Sequence, residues 1–269
     1  MGGVMRKIAL LIAIVTSLSK LHALYLGNVA SPEIIEEGMF LSKDNWMSIK
    51  AGYQGDFVFD RKMRAHRGAR GSIDQFKTIA NQGVFTLNFA DRVELYANAG
   101  TMSFYISQRP RPDFKRRQYQ SDDHFTWGYG GRGIILHWKN TVFGLDGAMQ
   151  YSKAVPFKWE SVNGKTTDVH YHKTKLKYNE WDIAASIAQR IEILTPYFAV
   201  EYARVRSSIK HIPKQLQSSG VSQGFKMNNR VYVGIGMGCT ISMGSYFDLN
   251  VEARLIDQLS CSVAANAKF

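Results

Sequence analysis

The chain has 269 residues, of which 45% are hydrophobic and 21% are charged, and its formal net charge is +12. This length fits one large all-β domain or two small domains. Mean hydropathy is slightly negative, and no segment offers the run of about eighteen apolar residues that an α-helical membrane span requires. A membrane barrel stays open, because barrel strands alternate apolar and polar residues and average to the hydropathy of a soluble protein.

The N-terminus has the features of a secretory signal peptide. Arg6 and Lys7 precede an unbroken apolar run at 8–15, and Leu21-His22-Ala23 forms a small-residue cleavage site. The apolar run is too short to span a bilayer, so we predict that residues 1–23 are removed. Export argues against nucleic acid as a partner, although the chain is basic.

The mature chain is predicted to begin with a periplasmic segment and to continue as a barrel. Residues 24–45 show no clear period and contain the breakers Gly27, Pro32 and Gly38. We therefore interpret 24–45 as a periplasmic N-terminal segment and 46–269 as a single β-domain.

Period-two alternation of apolar and polar residues predicts ten strands after residue 45. The last 39 residues show it most clearly, with three such stretches of about the length that crosses a bilayer as a tilted strand. The predicted strands cover 46–60, 78–90, a stretch from 93, 124–138, 141–153, 178–191, a stretch from 195, Val231–Ile241, Phe247–Leu255 and Leu259–Phe269.

Long and short connections alternate between these strands until the last hairpin. The long ones are predicted at 61–77, 107–123, 154–177 and 208–227, and the short ones at 91–92, 139–140 and 192–194. Outer-membrane barrels have short periplasmic turns and longer external loops. The sequence therefore predicts an all-β fold, a transmembrane antiparallel β-barrel of about ten strands (10–12), with both termini in the periplasm.

Motifs that would indicate catalysis or metal binding are weak. His170 and His172 lie on one face of a predicted strand, but no Cys or carboxylate cluster stands at ligand spacing, so we interpret them as a solvated pair. Asp122-Asp123-His124 are consecutive, so their side chains point apart, and no GxSxG motif is present. We predict that the protein is not an enzyme and needs no metal and no cofactor.

Cys239 and Cys261 both fall on the apolar face of their predicted strands. A third strand would separate them, which disfavours an intrachain disulfide. Two readings stay open: a pair of small unpaired hydrophobic residues, or an intermolecular disulfide in the oxidising envelope.

Charged residues inside the predicted strands indicate a polar lumen. A cation on the lipid face near the bilayer midplane costs roughly 2–4 kcal/mol, so these groups should point inward. The alternative is the exposed face of a soluble sheet. The candidate pore-lining residues are Lys50, Asp56, Arg132, Asp146, Arg190, Arg230, Asp248, Glu252 and Arg254.

Several strings, in order along the mature chain, resemble a known family. The strings are Gly52–Arg61, Leu24–Pro32 (LYLGNVASP), the turn Asp91-Arg92, Phe143–Lys153, Thr195-Pro196-Tyr197 and Val251–Asp257 with the short run to Phe269. Together they are similar to the chlamydial major outer membrane protein, an outer-membrane porin.

The resemblance implies a porin that passes small hydrophilic solutes by diffusion. It also implies a homo-oligomer, a trimer, and recognition of the terminal Phe269 by the barrel-assembly machinery. This chain is shorter and lacks most of the family's cysteines, which puts adhesion and a disulfide-linked envelope network in doubt. A structural or adhesive barrel with a plugged lumen, a barrel enzyme and a soluble sandwich are the alternatives.

Loop cations lead to a prediction of mild anion preference. Exposed charges concentrate counter-ions within a Debye length of roughly 8 Å at physiological salt. The alternative is that these cations bind lipopolysaccharide, which with outer-membrane lipid is the expected partner. The loop cations are Arg61, Lys62, Arg64, Arg67, Arg70, Arg109, Arg111, Lys115, Arg116 and Arg117.

Overall fold

A computed structural model describes residues 26–34, 46–66, 71–109, 117–154, 157–161, 166–167, 174–212, 224–243 and 246–269. Over this part of the chain the fold is almost entirely β. The strands are β1 (Met47–Arg61), β2 (Met63–His66), β3 (Ser72–Phe89), β4 (Val93–Arg109), β5 (Arg117–Ser121), β6 (His124–Trp138), β7 (Thr141–Ala154), β8 (Phe157–Ser161), β9 (Thr166–Thr167), β10 (Lys175–Gln189), β11 (Leu194–Lys210), β12 (Gly224–Asn229), β13 (Val233–Met243), β14 (Phe247–Leu255) and β15 (Gln258–Lys268).

Ten of these strands close into an antiparallel barrel. The order around the wall is β1, β3, β4, β6, β7, β10, β11, β13, β14 and β15, and β15 pairs with β1 to complete the circle. Closure leaves no unpaired strand edge, which lipid could not satisfy with hydrogen bonds. The predicted fold class and strand number are confirmed.

The wall is apolar outside and polar inside because apolar and polar residues alternate along each strand. On β11 the outward positions run Leu194, Pro196, Phe198, Val200 and Tyr202, and all but Pro196 are large exposed hydrophobic residues. Nine residues is about the length that a tilted strand needs to cross the hydrocarbon core. Aromatic residues lie at both ends of this belt, as they do at membrane interfaces.

Short turns and long extensions lie at opposite ends of the barrel, except that the short β14–β15 turn at 256–257 lies at the external end. The backbone nitrogen of Ala90 in the β3–β4 turn donates to the carbonyl oxygen of Trp46, and that of Lys268 donates to Tyr246. Both ends of the wall therefore lie beside the short turns, and we assign this end to the periplasm. β2, β5, β8, β9 and β12 extend the other, external end.

The structure shortens one predicted loop. β3 begins at Ser72, so the connection predicted at 61–77 is wrong at both ends. Arg61 belongs to β1 and is buried, because a register shift after Val58 turns it inward. Arg61 is therefore not a cation of the external mouth, whereas Lys62 and Arg64 are exposed.

Three other predicted loops contain strand: 107–123 contains β5, which begins at Arg117, 154–177 contains β8 and β9, and 208–227 contains the start of β12. β8 and β9 pair antiparallel. Residues 1–25, 35–45 and the pair His170 and His172 lie outside the described residues. Within the described residues, no helix has the length and hydropathy of a membrane span.

Residues 26–34, which we call the inner segment, lie inside the barrel. They end in a single helical turn, α1 (Ser31–Ile34), and all of their side chains except that of Glu33 are buried: Leu26, Asn28, Val29, Ala30, Ser31, Pro32 and Ile34. The assignment of 24–45 to a periplasmic segment stays a prediction. The structure adds that its described part contacts the inner wall.

The external half of the barrel is filled by an apolar core. Fifteen buried side chains form this external apolar cluster. Aromatic rings pack within it: Phe76 stacks on Tyr178 with ring centroids 6.2 Å apart, and the tilted ring of Phe104 lies 5.3 Å from that of Tyr178. The cluster comprises Met63, Phe76, Ala80, Met102, Phe104, Ile106, Tyr119, Ala154, Leu176, Tyr178, Val205, Ile209, Ile212, Phe225 and Met227.

Candidate functional site

The barrel interior is the candidate site, because buried charges of both signs converge there. The inward positions of the strands, together with Asp257 of the β14–β15 turn, hold five buried cations and nine buried acids among the described residues. The cations are Lys50, Arg61, Arg132, Arg254 and Lys268, and the acids are Asp56, Glu94, Asp146, Glu180, Asp182, Glu201, Asp248, Glu252 and Asp257.

A network of ion pairs occupies the periplasmic half of the lumen. Lys50 Nζ lies 2.5 Å from Glu94 Oε1, and Arg132 Nε lies 3.6 Å from Glu94 Oε2 and 3.2 Å from Asp146 Oδ2. The Arg132 guanidinium also lies over the ring of Tyr96, 5.0 Å from its centroid. Four strands, β1, β4, β6 and β7, are thus tied together by charge across the lumen.

The inner segment is hydrogen-bonded to this network. The backbone nitrogens of Leu26 and Gly27 donate to the two carboxylate oxygens of Glu252, at 3.2 and 3.0 Å. Tyr197 Oη donates to the same carboxylate at 2.6 Å. Hydrogen bonds to a charged acceptor contribute about 1.5–3 kcal/mol each, so Glu252 is the main polar anchor of the segment.

Further side chains of the wall hold the remainder of the segment. Lys50 Nζ donates to the carbonyl oxygen of Ser31 at 2.6 Å, and Asn88 Nδ2 donates to that of Pro32 at 2.9 Å. The Asn28 amide donates to Thr240 Oγ1 at 2.9 Å. Every one of these contacts involves a side chain, since the segment pairs with no strand.

Apolar contacts complete the docking. Leu26 packs with Ala184 and Ala199, and Val29, Ala30 and Ile34 join the apolar side chains of β6, β7, β10 and β11. Gly144 makes room for the segment, since a Cβ there would lie 2.2 Å from Val29. The lumen is therefore shaped to receive these residues.

A second network of charged side chains adjoins the external apolar cluster through Tyr178. Arg61 contacts Glu180 Oε1 at 2.6 Å, donates to Tyr178 Oη at 2.6 Å, and donates from Nε to Gln258 Oε1 at 2.7 Å. Arg254 makes a bidentate pair with Glu201. A planar guanidinium matches a carboxylate in this geometry.

The predicted pore-lining residues divide into three groups. Most of them have buried side chains on the inner face: Lys50, Asp56, Arg132, Asp146, Asp248, Glu252 and Arg254. Arg190 lies in the periplasmic β10–β11 turn, 3.8 Å from Glu33 of the inner segment. Arg230 is exposed, just beyond β12 at the external end. Their contribution to a pore stays a prediction.

Sequence reasoning did not select several residues that organise the lumen. Glu94, Glu180 and Glu201 are the partners of the inward cations. Glu94 and Glu201 each stand between two apolar neighbours, and Glu180 shares the polar face of its strand with Asp182 and Ser186; this alternation is the signal that identifies them. The position of the inner segment has no such signal, because it depends on contacts between residues about 20 to 226 positions apart.

The cysteines are free in the structure and half-buried. Cys239 pairs across the sheet with Val251, and Cys261 pairs with Ala253, so one strand separates them as expected. An intermolecular disulfide stays a prediction. Asp122 and Asp123 are exposed beyond β5. Among the described residues no group of three or more His, Cys, Asp or Glu side chains could hold a metal ion.

Comparison with known proteins gives distant full-length similarity to porins. The chain is 22% identical to the major outer membrane porin of Chlamydia psittaci over 98% of this chain and 99% of the relative, in an alignment of 389 positions. It is likewise 22% identical to the serovar F porin of Chlamydia trachomatis, over 98% and 99% of the two chains. The relatives thus carry insertions relative to this 269-residue chain, and the resemblance predicted from the sequence is confirmed.

No family model matches the chain. Among solved structures, it is similar to the outer-membrane protease OmpT of Escherichia coli, with 10% identity, a TM-score of 0.39, and coverage of 83% of this chain and 93% of that one. It is also similar to the outer membrane protein OprG of Pseudomonas aeruginosa, with 14% identity, a TM-score of 0.38, and coverage of 83% and 95%.

The closed barrel, its outward apolar belt and the porin relatives locate the chain in a bacterial outer membrane. It is a porin-type outer-membrane β-barrel protein.

Proposed function

We propose that this barrel passes small hydrophilic solutes by passive diffusion and that the inner segment controls the width of the path. The observation that carries the proposal is the way the segment is held. It contacts the wall through side chains and pairs with no strand, so it can leave the lumen without breaking the barrel. Its departure would expose a polar wall lined by Lys50, Glu94, Arg132, Asp146 and Glu252.

Planar-bilayer recording tests this proposal. The purified barrel should give small stepwise conductance, and a variant that lacks residues 26–34 should conduct more, because the periplasmic half of the lumen is then open. A heat-dependent shift in gel mobility, which folded barrels show, provides the folding control for both proteins. Equal conductance of the two folded proteins would contradict the control by the inner segment.

A structural barrel with a plugged lumen is the second candidate function. The external apolar cluster favours it, since fifteen buried side chains pack there as in the core of a soluble protein. Absence of stepwise conductance from the intact protein and from the variant without 26–34, in several lipid compositions, would establish this alternative.

Ion preference depends on which charged side chains face the route that ions take through the lumen. The buried acids outnumber the buried cations by four, nine against five, so the mild anion preference must come from loop cations. Of these, Arg67, Arg70, Arg111, Lys115 and Arg116 lie outside the described residues, and Arg109 pairs with Asp74 at 3.3 Å.

A reversal potential under a salt gradient measures this preference. Anion selectivity that weakens on Arg254→Gln, on neutralisation of the 109–117 loop and at high salt would support it. Cation selectivity at low salt would refute it, and would agree with the excess of buried acids.

The assembly of the barrel is also proposed. We expect a homo-oligomer, a trimer, and recognition of Phe269 by the barrel-assembly machinery. Chemical cross-linking in membranes tests the first, and impaired insertion of Phe269→Ala tests the second. Diffusion involves no catalysed reaction, so the proposal also predicts no enzymatic activity.

A further inference from the structure

Cations gather on the outer surface of the barrel, above its apolar belt. Five neighbouring strands, β7, β10, β11, β12 and β2, present them at outward positions close to the external end. We call this surface the outer basic patch. It consists of Arg64, Lys153, Lys177, Arg204, Arg206 and Lys226.

The register places like charges next to one another. Lys153 is directly opposite Lys177, and Lys175 is directly opposite Lys210. Cross-strand neighbours on one face have Cβ atoms about 4.5–5.5 Å apart, and like charges there are destabilising. The Lys153–Lys177 pair of the patch, and the Lys175–Lys210 pair that adjoins it, are stabilised when an anion lies between the two ammonium groups.

The patch contains no compensating acid. The outward positions of these strands over 149–153, 175–181, 202–210, 224–228 and 64–66 hold no Asp or Glu. Across the described residues, every ion pair in which an Asp or Glu takes part involves a cation outside the patch. The positive charge is therefore available to an external ligand.

The position of the patch along the membrane normal indicates which ligand it binds. At its lower edge, Trp181 is directly opposite Arg204 and its ring centroid lies 5.6 Å from that of Tyr202, which in turn lies 5.9 Å from Tyr232. Such aromatic residues sit at the level of lipid headgroups. Since this is the external end, the headgroups beside the patch are those of the outer leaflet.

A shallow cavity of about 520 Å³ lies within the patch. Lys177, Arg204, Arg206, Lys226 and His66 line it, together with the hydrogen-bonding side chains of neighbouring polar residues. The planar guanidinium group of arginine binds two phosphate oxygens at once, and the ammonium group of lysine adds a compact positive charge. The cavity thus offers a phosphate both geometry and charge.

We propose that the outer basic patch binds the phosphate groups of a phosphorylated glycolipid of the outer leaflet, such as the diphosphorylated disaccharide of lipid A. The acyl chains of that lipid lie against the apolar belt below the aromatic residues. The inference rests on the orientation of the barrel in the membrane and is independent of conduction through the lumen.

Native mass spectrometry of the detergent-purified barrel with added lipid tests the proposal. Diphosphoryl lipid A should stay bound, and lipid A stripped of both phosphates should bind at least tenfold more weakly. The triple variant Lys177→Gln/Arg206→Gln/Lys226→Gln should lose about a hundredfold in affinity for diphosphoryl lipid A, since each cation near an anionic surface contributes roughly a factor of five.

A matched variant controls for the loss of three charges. Lys77→Gln/Arg109→Gln/Lys139→Gln removes them from β3, β4 and a periplasmic turn, and should bind diphosphoryl lipid A like the unmodified chain. Both variants change exposed or half-exposed side chains, and a heat-dependent gel shift verifies that each barrel is folded.

Three outcomes overturn the proposal. Equal binding of phosphorylated and stripped lipid by the unmodified protein would mean that acyl chains alone are recognised. Equal loss of binding in the two triple variants would mean that net charge alone acts. Displacement of the lipid by millimolar inorganic phosphate would mean that the patch is a site for free phosphate.

Discussion

Gly27→Ala should open the periplasmic half of the lumen, because this residue allows the inner segment to pass the Arg132 guanidinium. Gly27 has a φ of +80°, and a Cβ added there would lie 2.4 Å from Arg132 Nη1. The Arg132 side chain cannot easily move away, since its Nε atom is held by the carboxylates of Glu94 and Asp146.

The expected size of the effect follows from this geometry. An L-residue in the left-handed region costs roughly 1–2 kcal/mol, and the contact with Arg132 adds to that strain. Strain of 1–2 kcal/mol shifts an equilibrium by a factor of about 5–30. We therefore expect the fraction of barrels with a withdrawn segment to rise by roughly that factor, and the mean conductance with it.

Planar-bilayer recording provides the assay, and Gly83→Ala provides the control. Gly83 lies on the outer surface of β3, where the nearest atom to an added Cβ is the Ala99 carbonyl oxygen at 3.9 Å. The control should conduct like the unmodified protein. If folded Gly27→Ala and Gly83→Ala barrels conduct equally, docking of the inner segment does not limit conduction and the reasoning fails.

Two further predictions concern stability, measured by urea unfolding of the barrel in lipid vesicles. Arg61→Leu should destabilise the barrel by about 3–5 kcal/mol because Glu180 is left as an uncompensated buried charge, and Arg61→Leu/Glu180→Leu should recover most of the loss; a single variant within 1 kcal/mol of the unmodified protein would show that the pair is not isolated from water. Phe76→Ala should cost about 3–5 kcal/mol through the cavity it leaves in the external apolar cluster, whereas Phe85→Ala should cost less, because it faces lipid that can fill the space; equal losses would contradict a packed interior.

Local sequence was enough to predict the wall of the barrel. Alternation in stretches such as Phe247–Leu255 reports directly which side chains face lipid, because side chains of a strand point to alternate faces whatever the neighbouring strand is. The same rule placed Lys50, Arg132 and Arg254 inside. Arg61 was predicted as a cation of the 61–77 loop, which is wrong: a register shift beyond Val58 changes which residues of β1 face inward and leaves no mark in the alternation.

What fills the lumen was decided only by tertiary structure. Residues 26–34 show no regular alternation of apolar and polar residues. Their position depends on hydrogen bonds to Glu252 and on apolar contacts across the barrel. The pairing of Arg254 with Glu201 likewise joins strands that are not neighbours in the sheet. Such contacts arise from closure of the wall, which brings together side chains far apart in sequence, so a local pattern determines which face a residue occupies and the closed barrel determines which partner it meets.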